Sequence, residues 1–101
     1  MLNPTPVNVL LDERRRPYFL WDVDVTLDEL RARLADPDED VRAYWLGKVM
    51  RQAKPDDVLQ LVRLGRITEE WPRVERYLGR SRPFWAWLIH AYGELGDSAR
   101  G

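Results

Sequence analysis

One hundred and one residues, 45% of them hydrophobic and 33% charged, suffice for one folded domain with one core and leave no room for a large catalytic cleft beside it. The lack of cysteine removes disulfides, thiolate metal sites and cysteine nucleophiles together, and it fits a reducing compartment, so a cytoplasmic location is expected. The net charge of −1 hides a division: Asp22 to Asp40 carries −6 and Arg63 to Arg82 carries +3, which serves either mutual attraction and solvation or the steering of a charged partner.

Residues 1–17 read as a flexible, extended N-terminal arm, because Pro4 and Pro6 oppose helix and Arg14, Arg15 and Arg16 end at Pro17. Tyr18, Phe19, Leu20 and Trp21 follow in succession, four large side chains that need a surface to cover, and are expected to cross a helical layer in extended form. A single helical domain should then occupy residues 18–96, with a frayed tail at 97–101.

The first helix should start at Thr26, since Thr26 and Glu29 form a T-x-x-E capping box, and it should bury Leu27, Leu30 and Leu34. A second helix is expected with Asp36 as N-cap, Pro37 in its first position and Glu39 completing a D-x-x-E box. Asp38, Glu39 and Asp40 then crowd its positive end, an arrangement the helix dipole explains without a metal. On this helix Val41, Trp45 and Val49 make one apolar stripe and Ala43, Leu46 and Met50 another, which places it at the centre of the fold.

A third helix should begin at Pro55 and end at a C-cap Gly65, and a fourth should begin near Thr68 or be restarted by Pro72, stopping at Gly79. Ser81 should cap a fifth from Pro83 to Leu95, closed by Gly96 and seamed by Phe84, Leu88, Ala91 and Leu95. The fold class is therefore all-α, a compact array of about five short helices. Of five tryptophans, Trp21 and Trp85 are the two that a core explains least easily.

No H-E-x-x-H, G-x-S-x-G or P-loop pattern occurs, and the one histidine, His90, has no recognisable ligand partner and reads as solvent-facing. Asp22 and Asp24 are close enough in sequence to form a carboxylate pair, but without a second ligand cluster they read as solvent-facing or paired with arginine. No enzyme activity, cofactor or metal is expected. No run approaches the ~18 apolar residues of a membrane span, and no signal-peptide pattern opens the chain. Partner binding is the remaining class, with Tyr18, Phe19, Trp21, Asp22, Asp24, Asp38, Glu39, Asp40 and Trp85 as contact candidates. The alternative is nucleic-acid binding through Arg14, Arg15, Arg16, Arg73, Arg76, Arg80 and Arg82, against which stands the acidic pI of 5.8. A helix-turn-helix around Gly65 is disfavoured because Trp71 and Pro72 should break its second helix.

The stretch L-A-D-P-D-E-D-V-R at Leu34 to Arg42, with the apolar helix at Val58 to Leu64, resembles one HEAT-like helix pair, a single copy and no solenoid. R-P-Y-F-L-W-D at Arg16 to Asp22, A-Y-W-L-G-K-V-M-R-Q-A-K at Ala43 to Lys54 and L-G-R-S-R-P-F-W at Leu78 to Trp85 resemble small bacterial proteins encoded beside AbiEii/MenT-like nucleotidyltransferase toxins. The resemblance covers about 70 residues. It implies an antitoxin or accessory partner that neutralises a nucleotidyltransferase by occupying its substrate groove, with no catalytic residue of its own.

Overall fold

A computed structural model of the chain describes residues 3–93. Six α-helices occur among them: α1 Val7–Leu10, α2 Leu27–Leu34, α3 Glu39–Gln52, α4 Pro55–Leu61, α5 Leu64–Val74 and α6 Arg82–Leu88. Single 3-10 turns at Tyr18–Leu20, Glu75–Tyr77 and Gly79–Ser81 join them, and α6 widens into a π-helical turn at Ile89–Gly93. The all-α class stands; no strand forms among the described residues, where one antiparallel bridge links Leu11 to Pro17. Leu95, Gly96 and the tail at 97–101 lie outside the described residues.

Helix α2 forms as its capping box requires: the Thr26 hydroxyl accepts from the Glu29 amide at 3.2 Å, and the Glu29 carboxylate accepts from the Thr26 amide at 3.0 Å. Its Leu27, Leu30 and Leu34 face α3 and are buried. The start of α3 differs from expectation. Asp38, and not Asp36, is the N-cap, accepting from the Asp40 amide, while Asp36 accepts from the Asp38 amide in the turn before it. The Arg42 guanidinium donates to the carbonyls of Asp36 and Pro37, which keeps Pro37 in the corner and outside the helix.

Helix α3 is central, packing against α2, α4, α5 and the 3-10 turns. Ala43, Leu46, Val49 and Met50 are buried, whereas Val41 and Trp45 are half-buried, Trp45 lying under the Arg33 guanidinium at 4.4 Å. Gly47 allows the chain after α5 to close onto α3, because a Cβ there would stand 2.5 Å from the Tyr77 Cβ.

Two boundaries move because buried side chains outweigh local signals. Val62 is 3% exposed and takes an extended conformation, so α4 stops at Leu61; Arg63 caps α5, and Gly65 is a helical residue instead of a C-cap. Helix α5 then runs through Thr68 and Pro72 to Val74, although Pro72 supplies no amide to the Thr68 carbonyl. Burial of Ile67 and Val74 holds it, and the chain tightens to 3-10 geometry immediately afterwards. Gly79 does end this stretch, at a φ of +53°. Ser81 does not cap α6 with its side chain; its hydroxyl donates to the Leu78 carbonyl at 2.7 Å.

The arm is not without structure over Asn3–Pro17. It carries the single turn α1 and a tight reversal at Asp12–Arg16, in which Arg15 sits at a φ of +63° and its carbonyl accepts from the Leu27 amide at 2.9 Å. That contact satisfies one of the otherwise open donors at the start of α2.

Candidate interaction surface

The run Tyr18 to Trp21 is a 3-10 turn and not an extended crossing, and with three residues per turn it sends its side chains in different directions. Phe19 and Leu20 point into the core at 0% and 1% exposure, so Phe19 is withdrawn from the partner-contacting residues. Trp21 points outward and is 71% exposed. Beside it lies a shallow open cleft of about 430 Å³, walled by Val9, Leu10 and Leu11 of the arm and by Pro17, Tyr18, Leu20 and Val23, with Asn8, Asp12 and Arg16 as its polar lining. Val9 is also largely exposed.

Tyr18 ties this surface to the start of α4. Its hydroxyl donates to Asp57 Oδ2 at 2.7 Å and accepts from the Lys54 amide at 3.0 Å. The same carboxylate accepts from the Thr5 amide and hydroxyl, both at 2.7 Å, and Asp56 accepts from the Asn3 amide, so the arm is tied to α4. Burial by itself raises the Asp57 pKa, but the Thr5 and Tyr18 hydrogen bonds and the Lys54 charge together hold it below its ordinary value. The Tyr18 hydroxyl is pushed up, first by burial. Sequence reasoning missed Asp57; the only signal was its place beside Asp56 in a first helical turn, where acids normally serve the dipole.

The acids of the predicted contact set are engaged within the chain. Asp22 Oδ2 accepts from the buried Lys48 Nζ at 2.5 Å, and this hydrogen bond lowers the Asp22 pKa. Asp24 pairs with Arg16 at 3.2 Å, so the two aspartates address different cations and form no carboxylate pair. Glu39 pairs with Arg73 at 2.6 Å and Asp40 with Arg76 at 3.9 Å, while Asp38 caps α3. The acidic and basic segments thus attract each other, the simpler of the two readings of their charge. Arg42 adds a second link from α3 to α5 through Glu70, whose other oxygen is buried without a hydrogen-bond partner among the described residues.

The arginines of the alternative set do not converge. Arg14, Arg15 and Arg16 belong to the reversal before α2, where the Asp12 carboxylate accepts from the Arg14 and Arg16 amides and pairs with Arg16 at 2.8 Å. Arg73 and Arg76 are spent on α3, and Arg82 pairs with Glu75 at 3.5 Å. Arg80 is exposed and makes no ion pair among the described residues.

Trp85 is corrected outright. It is 1% exposed, and its indole N–H donates to the Met50 carbonyl at 3.1 Å, an acceptor that the end of α3 leaves open. Its neighbours Phe84, Trp87 and Tyr92 are the outward-facing rings, and His90 is exposed between them. No group of three or more metal-binding side chains occurs among the described residues, and none of their helices is long and apolar enough to cross a membrane. No protein-family model matches this chain, and neither a curated protein nor a solved structure was found similar to it.

Proposed function

We propose that this chain is a non-catalytic, cytoplasmic protein-binding module that presents the Trp21 cleft to its partner. The observation that carries the reading is a tryptophan 71% exposed beside an open cleft of mixed polar and apolar lining, on a backbone tied to α4 through Tyr18. Tryptophan in such a setting contributes large contact area at low entropic cost, and a pre-ordered surface loses little freedom on binding. Tyr18 and Val9 extend the contact, and Asn8, Asp12 and Arg16 supply its polar lining.

The finer proposal names the partner as a nucleotidyltransferase toxin, with this chain as antitoxin or accessory subunit covering the substrate groove. The three sequence stretches between Arg16 and Trp85 support it. The internal pairing of Asp22, Glu39 and Asp40 shifts the weight of recognition from an acidic surface to the Trp21 cleft. Co-expression with a nucleotidyltransferase encoded beside this gene should give a complex that survives size exclusion and lowers the enzyme's activity. Trp21→Ala should weaken capture by about 30-fold or more without altering the thermal melt. Separate elution of the two wild-type proteins at micromolar concentration, with activity unchanged, overturns the nucleotidyltransferase assignment. A complex that Trp21→Ala leaves intact overturns the cleft.

A further inference from the structure

A second exposed surface differs in chemistry from the Trp21 cleft. Along α6 and the π-helical turn, Phe84, Trp87 and Tyr92 are 41%, 57% and 52% exposed, with ring centroids 6.2 and 6.3 Å apart in sequence order. The large apolar side chains exposed between residues 79 and 93 are these rings alone; Leu88 and Ile89 pack against the core. The arm, by contrast, exposes the aliphatic Val7 and Val9. The same stretch holds Arg80 and Arg82 ahead of Phe84 and no acidic residue. Arg80 makes no ion pair among the described residues, and the pair that Arg82 makes with Glu75 is long and half-exposed, worth little in water.

Three exposed rings preceded in sequence by Arg80 and by Arg82, the latter paired with Glu75, offer partners for the two parts of an unpaired polynucleotide. Bases stack on rings whatever their sequence, and phosphates meet arginines. A duplex hides its base faces, so the surface selects unpaired strands, and RNA presents unpaired bases routinely in loops and ends. We propose that Phe84, Trp87 and Tyr92, with Arg80 and Arg82, form a docking face for a single-stranded RNA segment. The mildly acidic pI of the whole chain sets no bar, because binding responds to charge within about a Debye length, ~10 Å at 0.1 M salt.

The test is fluorescence anisotropy of a labelled single-stranded RNA 12-mer of mixed sequence with the full chain at low salt and no partner protein present, so this face is assayed apart from the Trp21 cleft. Binding is expected to quench tryptophan fluorescence. Trp87→Ala should weaken it about tenfold or more, the scale of one stacked base. Changing Arg80 and Arg82 together to Ala should reduce the slope of log affinity against log salt by about 1.4, two phosphate contacts on a single strand. Tyr44→Ala, an exposed ring on α3, should leave affinity unchanged. A thermal melt of Trp87→Ala that matches wild type separates lost binding from lost fold. Absence of binding by the wild-type chain, equal affinity for a duplex of the same sequence, or full affinity in Trp87→Ala overturns the proposal. Association with anionic vesicles but not with RNA overturns it equally and reassigns the face to a membrane surface.

Discussion

Trp85 unites two stabilising effects in one side chain: it fills the space between α6 and α3, and its indole N–H satisfies the Met50 carbonyl. Trp85→Phe keeps most of the ring but leaves the carbonyl open and a small void behind, so unfolding in urea should show a loss of about 2–4 kcal/mol. Trp21→Ala, from a position open to water, should move the same midpoint little. The sequence distinguishes these two tryptophans poorly, because both follow aromatic or apolar neighbours. What separates them is the identity of the facing atoms: Met50 lies 35 residues from Trp85, and no local pattern announces that pairing.

At the scale of elements, local chemistry was legible where a capping group and the amide donating to it lie within one turn and no other contact competes. Thr26 and Glu29 meet that condition, and Thr26→Ala should cost about 1 kcal/mol in a thermal or chemical melt. Ser81→Ala should not behave as a lost cap, because the Ser81 hydroxyl donates backward to Leu78 and leaves the first amides of α6 untouched; equal losses for both variants would contradict this assignment. The corner between α2 and α3 shows the limit of local reading. Asp36 and Asp38 are both competent caps before a helix, and the choice falls to Asp38 because Arg42 holds the carbonyls of Asp36 and Pro37 in the turn. Gly65 and Pro72 mislead in the same way: each is a terminator by propensity, and each is carried inside α5 by the burial of Ile67 and Val74.

Across the whole molecule, long-range polar contacts decide how the N-terminal arm sits. The Asp57 carboxylate receives the Thr5 amide and hydroxyl and the Tyr18 hydroxyl, so Asp57→Asn should cost about 1–3 kcal/mol at neutral pH, and the arm should become more sensitive to limited proteolysis. Its folded pKa lies below the ordinary aspartate value of 3.8, so the native state binds fewer protons there than the unfolded chain. The contribution is therefore complete above 3.8 and disappears as pH falls through the lower folded value. Denaturation curves should show the gap between wild type and Asp57→Asn narrowing over that acid range and constant above it. Composition and local pattern were enough for the helical class, the box at Thr26 and the central place of α3, since these follow from periodicity and contacts within a turn or two. Tertiary packing set which acids of Asp22 to Asp40 meet arginines of Arg63 to Arg82, made Phe19 and Trp85 core, and turned Trp21 outward beside a cleft lined by the arm. Those outcomes depend on groups such as Lys48, Arg73 and Asp57 meeting partners 26 to 52 residues away, where packing of the helices, and not local propensity, sets which side chains meet.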